Sequence, residues 1–167
     1  QSVGGNTGIS VETTGAGNVF LNNLYLTGGF KNAAGAVNAR NCTFAKKVEF
    51  TTGSSSARKE FTECTFQTNS AATEAILFTE AGVVTFFDNC VISNFLYAGH
   101  TIIFTNTTTA PSSTFFRNCL ILTNSSYNAF HKTSSNTTVA IDFVGGLTSM
   151  SYFSNPSDFT IRGNYAC

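Results

Sequence analysis

Four cysteines, Cys42, Cys64, Cys90 and Cys119, hold the same place in a recurring eight-residue block, so their chemistry depends on how the block stacks. A thiol can be a nucleophile, a soft-metal ligand or half of a disulfide. Stacked at the interstrand spacing of about 4.8 Å, the four would form one column of parallel side chains, with poor geometry for a disulfide. The expectation is therefore a column of buried free thiols packing as small hydrophobes. Cys167 falls outside the column and could crosslink another chain. Asp88, Arg117, Asp142 and Arg162 share another place of the block and alternate in sign over four consecutive copies. An acid flanked by arginines could grip an anionic sugar. An exposed, register-setting ladder of ion pairs is favoured, because no second acid accompanies either aspartate. His100 and His131 lack an acidic cluster and read as polar strand residues rather than a base or ligands.

The block that must position these residues recurs at Val19–Leu26, Val37–Phe44, Lys59–Phe66, Thr85–Ile92 and Thr114–Ile121, with weaker copies at Val139–Gly146 and Phe159–Ala166. Its third place holds Leu21, Ala39, Phe61, Phe87, Phe116, Ile141 and Ile161. Its sixth holds Leu24, the four cysteines, Val144 and Asn164. Self-similarity at this spacing marks a stacked solenoid. Alternation turns places one, three, six and eight inward and places two and four outward. Place five, with Asn23, Asn41, Glu63, Asn89 and Asn118, reads as a corner where asparagine tolerates a left-handed backbone. A further strand follows each block, in which Phe50, Phe78, Phe104, Phe130 and Phe153 align. The fold expected is all-β: a right-handed parallel β-helix of about seven to eight coils, one domain over residues 1–167, with identical strands of successive coils paired in parallel.

Most of the 17 phenylalanines fall on inward places and belong to the core. Phe20, Phe86 and Phe115 share the outward second place, and Phe86 and Phe115, on adjacent coils, are candidate contacts with a partner subunit. Nine positive and nine negative charges give no net charge and no basic surface to neutralise phosphates, so nucleic acid is not an expected partner. No stretch approaches the roughly 20 apolar residues of a membrane span. Asn41, Asn106, Asn124 and Asn136 fit the N-glycosylation acceptor pattern, with Asn41 disfavoured by its place in a tight turn.

The run Phe159–Asn164 (FTIRGN), with FLNN, FFDNC and FFRNC, resembles the coil motif of the pectin lyase-like superfamily of right-handed β-helices. That superfamily includes polysaccharide lyases and hydrolases, viral tailspikes and bacterial surface adhesins. The Phe-x-x-Asn repeats, Phe20 to Asn23, Phe86 to Asn89 and Phe115 to Asn118, are similar to those of polymorphic outer-membrane adhesins, without their Gly-Gly-Ala-Ile motif. Lyase chemistry would need an aspartate cluster for calcium beside a basic residue, and a hydrolase would need two or three close carboxylates. The chain has only Asp88, Asp142 and Asp158, so no catalytic set, metal site or cofactor is expected. Neither end shows a polar cap, which suggests a segment of a longer solenoid or subunits stacking end to end. The function expected is an extracellular or cell- or virion-surface structural or adhesive solenoid. It would form a homo-oligomer or filament and meet a glycan or cell-surface partner. The alternative is a carbohydrate-active enzyme or a fragment of one.

Overall fold

In a computed structural model, residues 11–14, 17–33, 35–51, 57–68, 74–79, 83–94, 99–105, 113–124, 126–133, 139–148, 153 and 159–166 are described. Among them the chain is all-β, and no helix is present that could cross a membrane. One sheet contains β1 (Val11–Thr13), β4 (Phe30–Asn32), β7 (Val48–Phe50), β10 (Ile76–Phe78), β13 (Ile102–Phe104) and β15 (Phe130–Lys132), in that order. The second sheet has two arms. The first runs through β2 (Val19–Asn22), β5 (Val37–Arg40), β8 (Lys59–Thr62) and β11 (Val84–Asp88). The other runs through β3 (Tyr25–Leu26), β6 (Thr43–Phe44), β9 (Thr65–Gln67) and β12 (Val91–Asn94). Strand β14 (Ser113–Thr123) spans both arms, and β16 (Val139–Thr148) and β17 (Phe159–Ala166) continue from it. Every pairing is parallel, and each strand meets its counterpart in the neighbouring repeat, as in a β-solenoid.

The arms meet at the corner residues. Asn23, Asn41, Glu63, Asn89 and Asn118 all take the left-handed conformation, with φ of 53°, 51°, 55°, 52° and 51°. Asparagine suits the site because its short polar side chain tolerates that region, and the Asn41 amide donates 2.5 Å to the Asn23 side-chain oxygen. The corner backbones are tied forward as well: the amides of Asn23, Asn41, Glu63 and Asn89 donate to the carbonyls of Arg40, Thr62, Asp88 and Arg117 at 2.9–3.1 Å.

Alternation then sends the apolar residues inward. Phe61, Phe87, Phe116 and Phe143 stack face to face with centroids 5.1–5.4 Å apart. Phe44 and Phe66 form a second stack, and Phe50, Phe78 and Phe104 a third in the facing sheet. Edge-on contacts such as Phe61 to Phe66 and Phe116 to Phe130 lock the stacks together. Such pairs each add about 0.5–1.5 kcal/mol beyond the area they bury.

Two registers differ from the sequence reading. Phe116 pairs with Phe143 rather than Ile141, which lies opposite Thr114. This two-residue slip keeps every inward residue inward. It is selected because Phe143 extends the aromatic stack and Gly145, with φ 68°, takes the corner beside Asn118. Gly146 thus follows Cys119 in the cysteine column, and Val144 is 63% exposed. Leu24 is exposed too, since no strand precedes β2 in the second sheet among the described residues. In the first sheet, Phe104 pairs with Lys132, while Phe130 joins the column of Phe30, Val48, Ile76 and Ile102 and bridges to Phe153.

Candidate functional site

The four repeat cysteines lie in the core, one per coil. Cys42, Cys64, Cys90 and Cys119 are free and buried, and the amides of Thr65, Val91 and Leu120 bond the carbonyls of Cys42, Cys64 and Cys90 in the preceding coil. Each thiol donates to the carbonyl two residues before it, at 3.2 Å to Arg40, 3.3 Å to Thr62, and 3.4 Å to Asp88 and Arg117. Hydrogen bonding with the Cys119 and Cys64 thiols, reinforced by burial, pushes Cys90 far above the ordinary thiol range and burial raises Cys42, while the hydrogen bond with Cys90 draws Cys64 and Cys119 below it. Buried and bonded to backbone carbonyls, the four side chains serve as packing groups of the core. Among the described residues, no three His, Cys, Asp or Glu side chains converge on one point as a metal would require.

The charge ladder resolves into two places. Arg117 Nε donates to Asp88 Oδ1 at 3.0 Å and its Nη2 contacts Oδ2, a two-pronged pair that holds Asp88 below the usual carboxylate range. Because of the register slip, Arg117 lies opposite Val144. Asp142 lies opposite Phe115 and Arg162 instead. His100 and His131 stack at 4.0 Å with their rings 7° from parallel, and Tyr127 meets His100 edge-on. The Asn128 backbone N–H donates to His100 Nδ1 at 3.0 Å. Burial, with the His131 charge second, pulls His100 below its ordinary value. Asn124 accepts from the Ser126 amide at 3.1 Å in a local turn, and Asn41 sits at its exposed corner. Asn106, Asn136 and Cys167 lie outside the described residues.

Two arrangements escape a linear reading. Lys47 Nζ lies 3.3 Å from Glu49 and 3.4 Å from Glu74, bringing together two carboxylates from separate coils. The other is a groove of about 400 Å³ on the outer face of β2, β5 and β8, lined by Asn18, Phe20, Ala36, Asn38, Arg58 and Glu60. Phe20 is 76% exposed on one side. On the other, Arg58 pairs with Glu60 at 2.9 Å and lies 4.3 Å over the Phe86 ring, while the Asn38 amide donates 3.3 Å to Glu60. Phe86 in turn stacks on Phe115 at 4.6 Å. The second-place column thus reads Phe20, Asn38, Glu60, Phe86, Phe115, Asp142, Arg162 across the outer face. Aromatic plates stand there beside hydrogen-bonding groups, the usual makings of a site for a small polar ligand. Compared with protein-family models, curated proteins and solved structures, the chain matches none.

Proposed function

We propose that the chain is a structural or adhesive β-solenoid working outside the cell or on a cell or virion surface. In this reading it is a right-handed parallel β-helix of seven to eight coils, akin to the pectin lyase-like superfamily, that forms a homo-oligomer or filament and meets a glycan or cell surface. The observation that carries it is the outer strip: Phe20, the Arg58–Glu60 pair and the stacked Phe86 and Phe115 are displayed in register on a scaffold stiffened by continuous aromatic stacks. A rigid parallel stack presents such groups at fixed intervals of about 4.8 Å, which suits repeated contact with an extended surface. The low charge and the abundance of Asn, Thr and Ser fit that setting. Negative-stain electron microscopy with intact mass on native material tests the proposal. Filaments or closed oligomers carrying glycan-sized mass additions support it, whereas monomers of unmodified mass contradict it.

Glu49 and Glu74 favour the alternative, a carbohydrate-active enzyme, because glycoside hydrolysis uses two facing carboxylates. Their shared Lys47, 3.3 Å from one and 3.4 Å from the other, argues for a structural ion-pair triad, since both carboxylates are already taken up by the ammonium. Polysaccharide cleavage abolished by both Glu49→Gln and Glu74→Gln would establish the enzyme reading.

A further inference from the structure

The groove beside Phe20 crosses three coils. On the outer face, places zero and two of three successive coils read Asn18 and Phe20, then Ala36 and Asn38, then Arg58 and Glu60. Phe20 and Glu60 are separated by two interstrand steps, about 9.6 Å at about 4.8 Å each. How much room one step gives is visible further along the same column, where the rings of Phe86 and Phe115 on adjacent coils lie face to face at 4.6 Å, only 6° from parallel. At the middle coil of the groove, the ring is replaced by Asn38, with the small Ala36 beside it. There the column lacks the ring that the later coils carry.

The walls of this slot differ in kind. Phe20 offers an open apolar face. The opposite wall is polar and internally paired: Glu60 holds Arg58 at 2.9 Å, Phe86 backs the guanidinium at 4.3 Å, and Asn38 bonds Glu60 at 3.3 Å. These contacts reduce the ordering to be done when a ligand enters, which favours binding. The matching ligand is flat, has an apolar face of C–H groups and carries hydrogen-bonding groups around its edge. It bears no net charge, because Arg58 and Glu60 compensate each other; a uronate would face the Glu60 carboxylate. An aromatic side chain from another protein would fit the width but leave the carboxylate, guanidinium and amides unmatched, at the cost of their desolvation.

We propose that this groove binds a neutral pyranoside, its ring stacked on Phe20 and its hydroxyls bonded by Asn38, Glu60, Arg58 and Asn18. This names the ligand class of the adhesive surface and rests on that reading of the protein.

Saturation-transfer NMR on the full chain tests it, with methyl β-glucopyranoside, methyl β-galactopyranoside and methyl α-mannopyranoside as probes, and galacturonate and N-acetylphenylalaninamide as competitors. At least one neutral glycoside should receive transfer concentrated on the ring protons of one face. Phe20→Ala, which removes the plate, and Ala36→Phe, which fills the slot, should each weaken binding at least tenfold while the melting temperature stays within a few degrees. Either variant suffices if the other fails to fold. Glu60→Gln should admit galacturonate. The proposal is overturned by no transfer to any neutral glycoside, by transfer undiminished in a folded variant, or by displacement of the glycoside by N-acetylphenylalaninamide. Filaments without sugar binding would sink the groove alone, and sugar binding by discrete particles would sink the filament alone.

Discussion

Lys59 departs most sharply from what its position calls for. It occupies an inward place between Val37 and Thr85, only 1% exposed, and its ammonium donates to the Gly35 carbonyl. Burial pulls its amine down to about 8. Below that pH the folded chain must hold the charge at a cost. Between about 8 and 10.5 the folded state gives up the proton while the unfolded state keeps it, so this residue makes stability rise with pH across that window. Lys59→Met should therefore stabilise by about 1–3 kcal/mol at pH 7, and the gain should shrink towards pH 10.5 in denaturant titrations. His100 works in the opposite range. Its neutral form is preferred in the fold, so its contribution is present above the ordinary 6.5 and is lost as pH falls below it. His131→Phe keeps a ring on the stack and removes the like charge, and should flatten stability between pH 6.5 and 5 relative to the parent chain. The thiols carry a simpler expectation. In a Cys167→Ser background, a thiol reagent should label none of the four column cysteines in the native state and all four in denaturant, because the fold buries them out of its reach.

At the scale of the element, the corner decides what the sequence could convey. Asparagine at place five announces a left-handed turn, and all five corner residues adopt one. Glu63 is the exception in type, since a glutamate in that region carries a penalty of about 1–2 kcal/mol that asparagine largely escapes. Its contact with Arg40 at 3.7 Å, between exposed side chains, offsets little of this. Glu63→Asn should raise stability by about 0.5–1 kcal/mol in chemical denaturation, whereas Asn89→Ala should lower it by about 1 kcal/mol. The later strands were harder to read for a physical reason. A shift of two residues preserves inward and outward faces, so alternation cannot separate Ile141 from Phe143 as the partner of Phe116. Stacking of Phe143 and the positive φ of Gly145 break the tie, and the only sequence trace is the Gly145-Gly146 pair standing where Asn-Cys stands in earlier copies. The same ambiguity displaced Asp142 and Phe130. Gly163, at φ 90°, is held by contact as well as conformation, since a Cβ there would collide with the Phe143 carbonyl oxygen.

For the whole molecule, inside and outside were unequally legible. The inside is a periodic pattern of apolar residues, and period dictates stacking. The outer groove depends on one small residue, Ala36, between larger ones on neighbouring coils, and only the coil-to-coil register reveals that neighbourhood. Stability and function should divide along that line. Phe87→Ala, in the middle of an aromatic stack, should cost about 3–5 kcal/mol, while Phe20→Ala on the outer face should stay within about 0.5 kcal/mol of the parent in the same denaturation series. The most direct measurement of the stacked parallel architecture is an isotope-edited NOE spectrum of the labelled chain. The account predicts parallel-sheet contacts joining Phe61 to Phe87, Phe87 to Phe116 and Phe116 to Phe143. Close Hα–Hα contacts between neighbouring strands, the mark of antiparallel hairpins, or a Phe116 to Ile141 pairing would contradict it.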